Sequence, residues 1–492
     1  MVPREPRPAR RGPFTTGAPG RHWVCHEWLS QLAFALIDRA SGLWGLRVTR
    51  VVLLVAALAA ARALIVRRTR RPTLEVVALG VVWLLWQPHS TLRPHLFGWL
   101  FTLALVALLS HEGPYTRARL VALFSLVVAW MNFHSSGLIA IAMAGVYLAG
   151  LSVDGAIARA SVREPLRRFA AVTAVVAIAC LVQPEGARIL GYPLLTRATG
   201  RGMIAEWLPL LRADTFEDVP RWPLTFLAVA FGWLVALVSR VRRRAPPVRF
   251  PGPWVALLGL LLTADVRRMT FFTILPVLFL VEELSAWLDR SPPRVFARPD
   301  QAWVPALGAL ATSLVAWVVV LPDWALTREH FLPGYAPDDA LAFVRRARIE
   351  GRMFNPFMWG GFVEYRLWPT QRAFVDGRMD LFGRELVSDT FAIEQARPEA
   401  AELYAKYAID WALLETQPYL DGAPLDPSGY ALAYGDSTAV VLLRRGPRFD
   451  ENVRRACALY RSGALPAALA TFRVRRPRAT MQIPSVLSLC AR

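Results

Sequence analysis

The feature that most constrains this chain is a series of long apolar segments filling its first two thirds. Short polar or Arg-rich stretches separate them. A bilayer-spanning helix needs about 20 mostly apolar residues, and several segments are shorter, as half-helices or tilted helices in a bundle would be. The segments are 44–66, 74–87, 95–110, 119–131, 137–153, 168–183, 222–240, 252–264, 270–288 and 303–322. We therefore predict an α-helical polytopic membrane protein with about ten membrane segments.

Composition supports a membrane protein and argues against nucleic-acid binding. Of the 492 residues, 55% are hydrophobic and only 19% are charged, which is too apolar for an ordinary soluble protein. The net charge of +20 comes almost entirely from Arg, since Lys406 is the only Lys. The Arg clusters lie between apolar segments, as the positive-inside rule predicts for cytoplasmic loops.

The Arg distribution also predicts the orientation. Arg-rich stretches follow alternate apolar segments, at 67–71, 117–119, 159–168, 240–244 and 290–298. With these in the cytoplasm, everything after residue 323 is periplasmic in a bacterial inner membrane. Residues 1–43 would then begin outside despite their own Arg residues, so we expect the chain to be N-terminally truncated, with a preceding helix missing. Translation of residues 1–12 from a displaced start is the alternative. The predicted divisions are 1–43 (N-terminal segment and remnant of a first external loop), 44–322 (bundle), 323–447 (periplasmic α/β domain) and 448–492 (helical tail).

Polar residues collect in the loops that this topology places outside. Imidazoles and carboxylates are costly inside a bilayer, so several of them at helix mouths on one face predict an outward-facing polar cavity. Ordinary solvated loops are the alternative. Five stretches contribute: His22–Glu27, Gln87–His95, Asn132–Ser136, Gln183–Glu185 and Asp265–Arg268. The connection 184–221 is long, and its apolar residues predict short helices lying on the membrane interface, where a lipid substrate would enter.

Beyond residue 323 the pattern is that of a soluble α/β domain. Asp338 and Asp339 begin a predicted helix over 337–348. We predict strands at 352–355, 372–376 and 409–415, a hairpin of 430–434 and 438–444, and helices at 385–394 and 398–407. The tail is predicted to form two amphipathic helices.

The four cysteines are too scattered for a zinc site or a disulfide framework. Cys457 and Cys490 could pair if the tail is extracytoplasmic, but we expect free thiols.

The chemistry-bearing residues favour a lipid-phosphate substrate. No phosphate-binding Gly-rich loop is present, so a soluble nucleotide donor is disfavoured. Arg93, Arg267 and Arg268 could hold a phosphate, since guanidinium binds phosphate bidentately; arginines that pin helix ends are the alternative for each. Asp376 and Asp380, beside Gly377, could contact a sugar or a cation, although a structural Asp–Arg turn is favoured.

Several motifs resemble those of a known family. They occur in order between about residues 14 and 445: Phe14–Thr16, Trp23–Leu29, Arg93–Phe97, Trp130–His134, Gln183–Gly186, Glu206–Trp207, Phe354–Asn355, Gly360–Gly361 and Phe374–Asp380. In these the chain resembles bacterial polytopic proteins related to the GT-C glycosyltransferases, which take sugars from lipid phosphates. The resemblance implies a GT-C bundle with a periplasmic α/β domain. It also implies an acidic motif in the first external loop, which this chain lacks, leaving Glu27 as the nearest remaining candidate.

The leading hypothesis is a glycosyltransferase that transfers a sugar from a polyprenyl-phosphate donor to an envelope acceptor. Membrane lipid is the other expected partner, and a divalent cation, Mg²⁺ or Mn²⁺, is the one cofactor considered. Glu27 and His26 are the candidate catalytic residues. The candidate substrate-binding residues are Arg93, His95, Asn132, His134, Glu185, Arg267, Arg268, Asp376, Arg378 and Asp380. The alternative is an inactive relative acting as an assembly partner. A transporter is disfavoured, since Arg62 is the only clear polar residue at mid-membrane depth.

Overall fold

The structure is a computed structural model of the chain. It describes residues 15–111, 115–159, 161–200, 202, 205–246, 250–290, 336–395, 397–416, 429–462, 472–476, 479–483 and 486–490. The tenth predicted segment, 303–322, and Phe14 lie outside the described residues. We call residues 28–290 the bundle and residues 336–490 the C-terminal part.

The bundle is built from apolar helices. Its helices are α1 (Trp28–Val66), α2 (Pro72–Trp86), α3 (His95–Leu109), α4 (Arg117–Phe133), α5 (Ile139–Ala158), α6 (Arg163–Cys180), α7 (Tyr192–Gly200), α8 (Ala213–Asp218), α9 (Arg221–Arg242), α10 (Gly252–Asp265) and α11 (Ile274–Arg290). Each of the nine predicted apolar segments within the described residues coincides with a helix. Helices are the expected form, because a backbone in hydrocarbon must satisfy its hydrogen bonds internally.

The expectation of about ten membrane segments is wrong when the helices are judged by their length and composition. Among the described residues, four helical stretches are long and apolar enough to cross a membrane. They are Trp28–Val66, Ser135–Ala158, Arg221–Arg242 and Arg267–Arg290, where the second and fourth include the 3₁₀ turns that lead into α5 and α11. Shorter helices such as α2, with 15 residues, are about 23 Å long, against a hydrocarbon core of about 30 Å. They contribute to the bundle without meeting the length of a full span.

The first helix begins earlier than predicted. It starts at Trp28, not at residue 44, and a kink at Gly42 divides it, where φ is +61°. Phe34, before the kink, packs against Phe97 of α3 with ring centroids 5.6 Å apart. The predicted remnant of an external loop is therefore helical from residue 28 onward.

Arg62, the polar residue predicted at mid-membrane depth, has an acidic partner in the bundle. Arg62 of α1 is paired with Glu75 of α2 through Nε and Oε1, 2.6 Å apart. The short helices predicted for the 184–221 connection are present as α7 and α8, with one 3₁₀ turn before α7 at Gly186–Gly191 and another between α7 and α8 at Ala205–Trp207.

The C-terminal part is a small sheet with helices around it. Its helices are α12 (Asp338–Ala347), α13 (Gly360–Leu367), α14 (Met379–Glu394), α15 (Ala400–Lys406), α16 (Phe449–Arg461) and α17 (Val486–Cys490); the strands are β1 (Met353–Phe354), β2 (Trp411–Glu415), β3 (Tyr430–Gly435) and β4 (Ala439–Arg444). The sheet order is β1-β2-β4-β3, with β1 parallel to β2 and the other pairs antiparallel. The predicted first helix and the hairpin are confirmed.

The predicted strand at 372–376 does not join this sheet. It pairs instead with the N-terminal segment, through a parallel bridge between Thr15 and Ala373. The Thr16 and Gly17 amides donate to the carbonyls of Ala373 and Phe374, at 2.8 and 3.0 Å. Residues just before α1 are therefore attached to the C-terminal part.

The tail differs from its prediction in two ways. The first predicted helix is present as α16, but residues 472–476 and 479–483 form an antiparallel hairpin, β5 and β6. Pro477 between them is incompatible with a helix interior. Cys457 and Cys490 form a disulfide, so the expectation of free thiols is wrong. Cys490 lies 33 residues further along the chain, and only the fold shows that the two meet.

Candidate functional site

Three of the loops predicted to be external, at 22–27, 132–136 and 183–185, meet at one end of the bundle. The Trp28 indole donates to Asn132 Oδ1 at 2.9 Å, and Asn132 Nδ2 donates to the Val182 carbonyl at 2.9 Å. His22 Nε2 lies 3.3 Å from Glu185 Oε2. These contacts link the chain before α1 to the ends of α4 and α6.

Glu27, His26 and His134 form the centre of the site. Glu27 immediately precedes α1, and His134 follows the last residue of α4. Glu27 Oε2 lies 3.4 Å from His26 Nε2 and 4.0 Å from His134 Nε2. All three side chains are partly buried, so each helix end presents its polar group to a confined space and not to open solvent.

The hydrogen bonds distinguish the two imidazoles. His26 Nδ1 lies 3.3 Å from the Val24 carbonyl, which can only accept, so Nδ1 carries a proton and Nε2 faces Glu27 and the Tyr192 hydroxyl, 3.2 Å away. His134 Nδ1 instead accepts the Ser136 amide at 3.1 Å. Neutral His134 therefore carries its proton on Nε2, the atom directed at Glu27.

Electrostatics make Glu27 a stable anion. Burial by itself would raise the pKa of Glu27, but His26, His134 and Gln31 hold that pKa at about 2. Burial opposes the charged form of His26, yet the charge and hydrogen bond of Glu27 raise its pKa. Burial lowers the pKa of His134 to about 3 against the attraction of Glu27.

The same three groups lie close enough to share a divalent cation, with candidate ligand atoms within 4.8 Å of one another. His26 fits this role, because metal-binding histidines usually donate their other N–H to a carbonyl or carboxylate, as Nδ1 does to Val24. His134 fits it less well, because its Nδ1 faces a backbone donor. Glu27 and His26 are therefore the ligand pair that the hydrogen bonds support.

Arg268 supplies positive charge beside this pair. It is partly buried, and the charges of Arg93, Glu206 and Glu27 all act on it. Within the described part of the chain, the Arg268 guanidinium makes no hydrogen bond or ion pair. An unpaired guanidinium in a confined polar site is suited to bind an anion.

The structure places other predicted phosphate ligands in pairs with protein groups. Arg93 Nη1 donates to both Glu206 oxygens, at 3.0 and 2.7 Å. Arg267 is held by Asp214, at 2.6 Å, and by the Pro209 carbonyl. These contacts tie the 184–221 connection to the bundle and occupy both guanidinium groups.

Three further candidates also have protein partners. His95 Nε2 lies 2.8 Å from the His89 carbonyl. The Asn132 amide bridges Trp28 and the backbone at Val128 and Val182. Glu185 is paired with His22. Their visible role is to hold the loops together.

Arg378 and the acids around it form a second cluster in the C-terminal part. Arg378 Nε lies 2.8 and 3.0 Å from the two Asp376 oxygens, and Nη2 lies 3.0 Å from Glu364 Oε1. Asp380 follows on the first turn of α14, where its charge acts on His26 and Glu27, and burial raises its pKa although His26 lowers it. This cluster therefore adjoins the central site.

Sequence reasoning missed Tyr192, Glu206 and Glu364 as members of these clusters. Tyr192 and Glu206 lie in the 184–221 connection, for which the sequence predicts only interfacial helices, and Glu206 also belongs to a family motif. Glu364 lies on α13, three residues after the Gly360–Gly361 motif but outside it. Their roles depend on partners 166, 113 and 14 residues away in the chain, a separation that no local pattern reports.

The acid pair beside Arg378 predicts a pH-dependent stability. Burial and Asp376 raise the pKa of Glu364 above its ordinary value of 4.5. The folded chain then keeps a proton that the unfolded chain releases, so stability falls as pH rises above 4.5. Glu364→Gln removes this component while keeping an N–H donor for Asp376. From pH 5 to 8, we expect the Tm of the wild type to fall by about 2–4 °C more than that of the variant. An equal dependence of Tm on pH in the wild type and in Glu364→Gln, measured by thermal unfolding, would contradict this prediction.

Comparison with known proteins finds similarity in structure. No protein-family model and no curated protein sequence matches the chain. The archaeal oligosaccharyltransferase AglB from Archaeoglobus fulgidus, in complex with an inhibitory peptide and a dolichol-phosphate, is similar over 96% of this chain and 74% of its own, with 12% identity and a TM-score of 0.50.

Two other structures of the A. fulgidus oligosaccharyltransferase have TM-scores of 0.47. One, tethered to an acceptor peptide, has 12% identity and covers 90% of this chain and 68% of its own; the other, with Zn and sulfate, has 13% identity and covers 89% and 67%. At 12% identity the AglB complex with dolichol-phosphate shows the fold alone. The chain therefore has a fold similar to that of this oligosaccharyltransferase, with helices long and apolar enough to cross a membrane and a C-terminal part that contains a small sheet.

Proposed function

We propose that this protein is a membrane glycosyltransferase that transfers a sugar from a polyprenyl-phosphate donor to an envelope acceptor, at the periplasmic face of a bacterial inner membrane. The observation that carries the proposal is the Glu27 carboxylate, which lies 3.4 Å from His26 and 4.0 Å from His134, together with the neighbouring Arg268, which has no partner among the described residues. A fold similar to that of a protein bound to dolichol-phosphate supports the choice of donor.

The two groups match the two charges that such a reaction must manage. The acceptor oxygen forms a bond to the anomeric carbon and loses its proton, while the bond from that carbon to the phosphate breaks. The leaving lipid phosphate takes the electron pair, and Arg268 is the group available to bind its negative charge. Glu27 is the group available to orient the acceptor hydroxyl, and His26 is the group available to take up its proton.

A divalent cation fits the same site, with Glu27 and His26 as the residues that would hold it. When bound, it would help to neutralise the departing phosphate. His134 would then act by directing its Nε2 proton at Glu27, which keeps the carboxylate in place. The C-terminal part would close the site from the other side through Asp380.

The cation site can be tested with Mn²⁺ titrations of the purified full chain, followed by electron paramagnetic resonance. His26→Ala is expected to lower the Mn²⁺ affinity by more than about 100-fold, because it removes a ligand. His134→Gln keeps an N–H donor and is expected to stay within about tenfold, as for a partner of a ligand. Equal losses in both variants would make His134 a ligand and contradict the assignment from the hydrogen bonds.

The donor class is tested in nanodiscs by binding of polyprenyl phosphate and of the matching polyprenol. We expect saturable binding that requires the phosphate and that weakens with added salt, because the contact is between charges. Equal binding of both lipids would refute the proposed donor. Phosphate-dependent binding without release of sugar from any polyprenyl-phosphate sugar would favour the inactive relative.

A further inference from the structure

The segment that leads into the site is attached to the C-terminal part. Besides the bridge at Thr15, the Arg21 guanidinium donates to the Phe382 carbonyl at 2.7 Å. Gly17 lies so close to the strand at 373–374 that a Cβ would come within 2.6 Å of the Phe374 oxygen. The chain from residue 15 to 25 therefore takes its path from the C-terminal part before it reaches His26.

Trp23 is the point at which this attachment meets the second cluster. Its indole is buried, with 4% of its surface exposed, and the Arg378 guanidinium lies over the ring, 4.8 Å from its centroid. The same guanidinium donates through Nε to Asp376 and through Nη2 to Glu364. Because a planar guanidinium bonded to two acids has little freedom to rotate, Arg378 defines where the Trp23 ring can lie.

The residue after Trp23 contacts His26 directly. The Val24 carbonyl accepts the backbone amide of His26 at 2.8 Å and faces His26 Nδ1 at 3.3 Å. That contact orients the imidazole, whose Nε2 lies 3.4 Å from Glu27. Because Val24 is bonded to Trp23, we expect a displacement of Trp23 to move the Val24 carbonyl and with it the ring of His26.

We propose that Arg378 is a positioning residue for the His26–Glu27 site, acting through Trp23 and the Val24 carbonyl. The inference rests on the proposed function, because it assigns the C-terminal part a role in the same cation site. A positioning role of Arg378 and a purely structural role predict different results. A structural role predicts lower stability of the C-terminal part, whereas a positioning role predicts altered chemistry at His26 in chains that remain folded.

The test uses Mn²⁺ affinity of the full chain in detergent. Trp23→Leu and Arg378→Gln are expected to lower the affinity by about 10–100-fold, as for outer partners of metal ligands. Trp23→Phe keeps a π face, and in the described residues the Trp23 indole N–H has no partner to lose. Trp23→Phe is therefore expected to stay within about threefold of the wild type.

A matched control is available in the same part of the chain. Arg366 lies over the Tyr365 ring at 5.3 Å and pairs with Asp338 at 2.8 Å, so it repeats the guanidinium–aromatic–acid arrangement away from His26. Arg366→Gln is expected to leave the Mn²⁺ affinity unchanged. An equal loss in Arg366→Gln and Arg378→Gln would overturn the positioning role in favour of a general effect on the fold.

A second readout does not depend on the cation. Reaction of His26 with diethyl pyrocarbonate, followed by mass spectrometry, reports whether the imidazole keeps its buried place beside Tyr192. We expect faster modification in Trp23→Leu and Arg378→Gln, but not in Trp23→Phe. Unchanged rates in both disrupting variants would overturn the inference. A wild type that binds no Mn²⁺ would contradict the proposed cation role, and the His26 rates would still decide the positioning role. If Arg378→Gln does not fold, Trp23→Leu carries the test, since it leaves Arg378 and both of its acids in place.

Discussion

Glu27→Gln is expected to abolish detectable sugar transfer from a polyprenyl-phosphate donor. Gln has nearly the same shape, so the change removes the negative charge and one acceptor oxygen while leaving the packing around α1 intact. Proton transfer by a positioned group contributes about 10²–10⁴-fold to a rate, and loss of the charge also removes a cation ligand. Release of polyprenyl phosphate from a labelled donor measures the effect without requiring the natural acceptor.

A second carboxylate provides the control for Glu27. Glu164 lies on α6 in an exposed pair with Arg168, four residues later, and exposed pairs of this kind contribute little. Glu164→Gln is expected to retain wild-type transfer and wild-type Tm. If Glu27→Gln turns over at the wild-type rate, Glu27 has no part in the mechanism and the site must be sought elsewhere.

Arg268→Gln is expected to weaken binding of polyprenyl phosphate by about 10–100-fold while leaving polyprenol binding unchanged. The physical reason is that no described acid forms a hydrogen bond or ion pair with the guanidinium, so its N–H groups are available to the phosphate. A hydrogen bond to a charged group contributes about 1.5–3 kcal/mol, and about 1.4 kcal/mol corresponds to a factor of ten. The variant should also show a weaker dependence of binding on salt.

The control for Arg268 is on the same helical stretch. Arg268 lies in the 3₁₀ turn that leads into α11, and Arg290 is the last residue of α11, where its Nε donates to the Ala286 carbonyl. Arg290→Gln therefore removes an equal charge at the other end of this stretch. We expect that variant to bind polyprenyl phosphate as the wild type does. Equal weakening in both variants would indicate a general effect of protein charge and would refute a phosphate site at Arg268.

Much of the fold follows from local sequence patterns. Each predicted apolar segment within the described residues is a helix, and the helix and hairpin predicted for the C-terminal part are present. Apolar length and strand alternation are properties of neighbouring residues, so they can be read without knowing the fold. The number of full membrane spans could not be read this way, because several apolar runs form helices too short to cross alone.

The sequence predicts which loops contribute the polar residues of the candidate site, but it does not predict which side chains pair with one another. The polar loops indicated where His26, Glu27 and His134 would meet, since all three lie at helix ends on the face predicted to be external. Arg93 and Arg268 looked alike in the sequence, as arginines beside helix ends. Only the fold shows that Glu206 binds Arg93 and that, among the residues it describes, no acid forms an ion pair with Arg268.

Local sequence patterns therefore predict the apolar helices, the helix and hairpin of the C-terminal part, and the polar residues at the helix ends. They do not predict that residues 15–17 pair with residues 373–374, that Cys457 joins Cys490, or that Arg378 lies over Trp23, which only the fold shows. Helix formation and membrane insertion depend on the apolarity of a contiguous stretch, whereas each of these contacts depends on where a group from a distant part of the chain is placed.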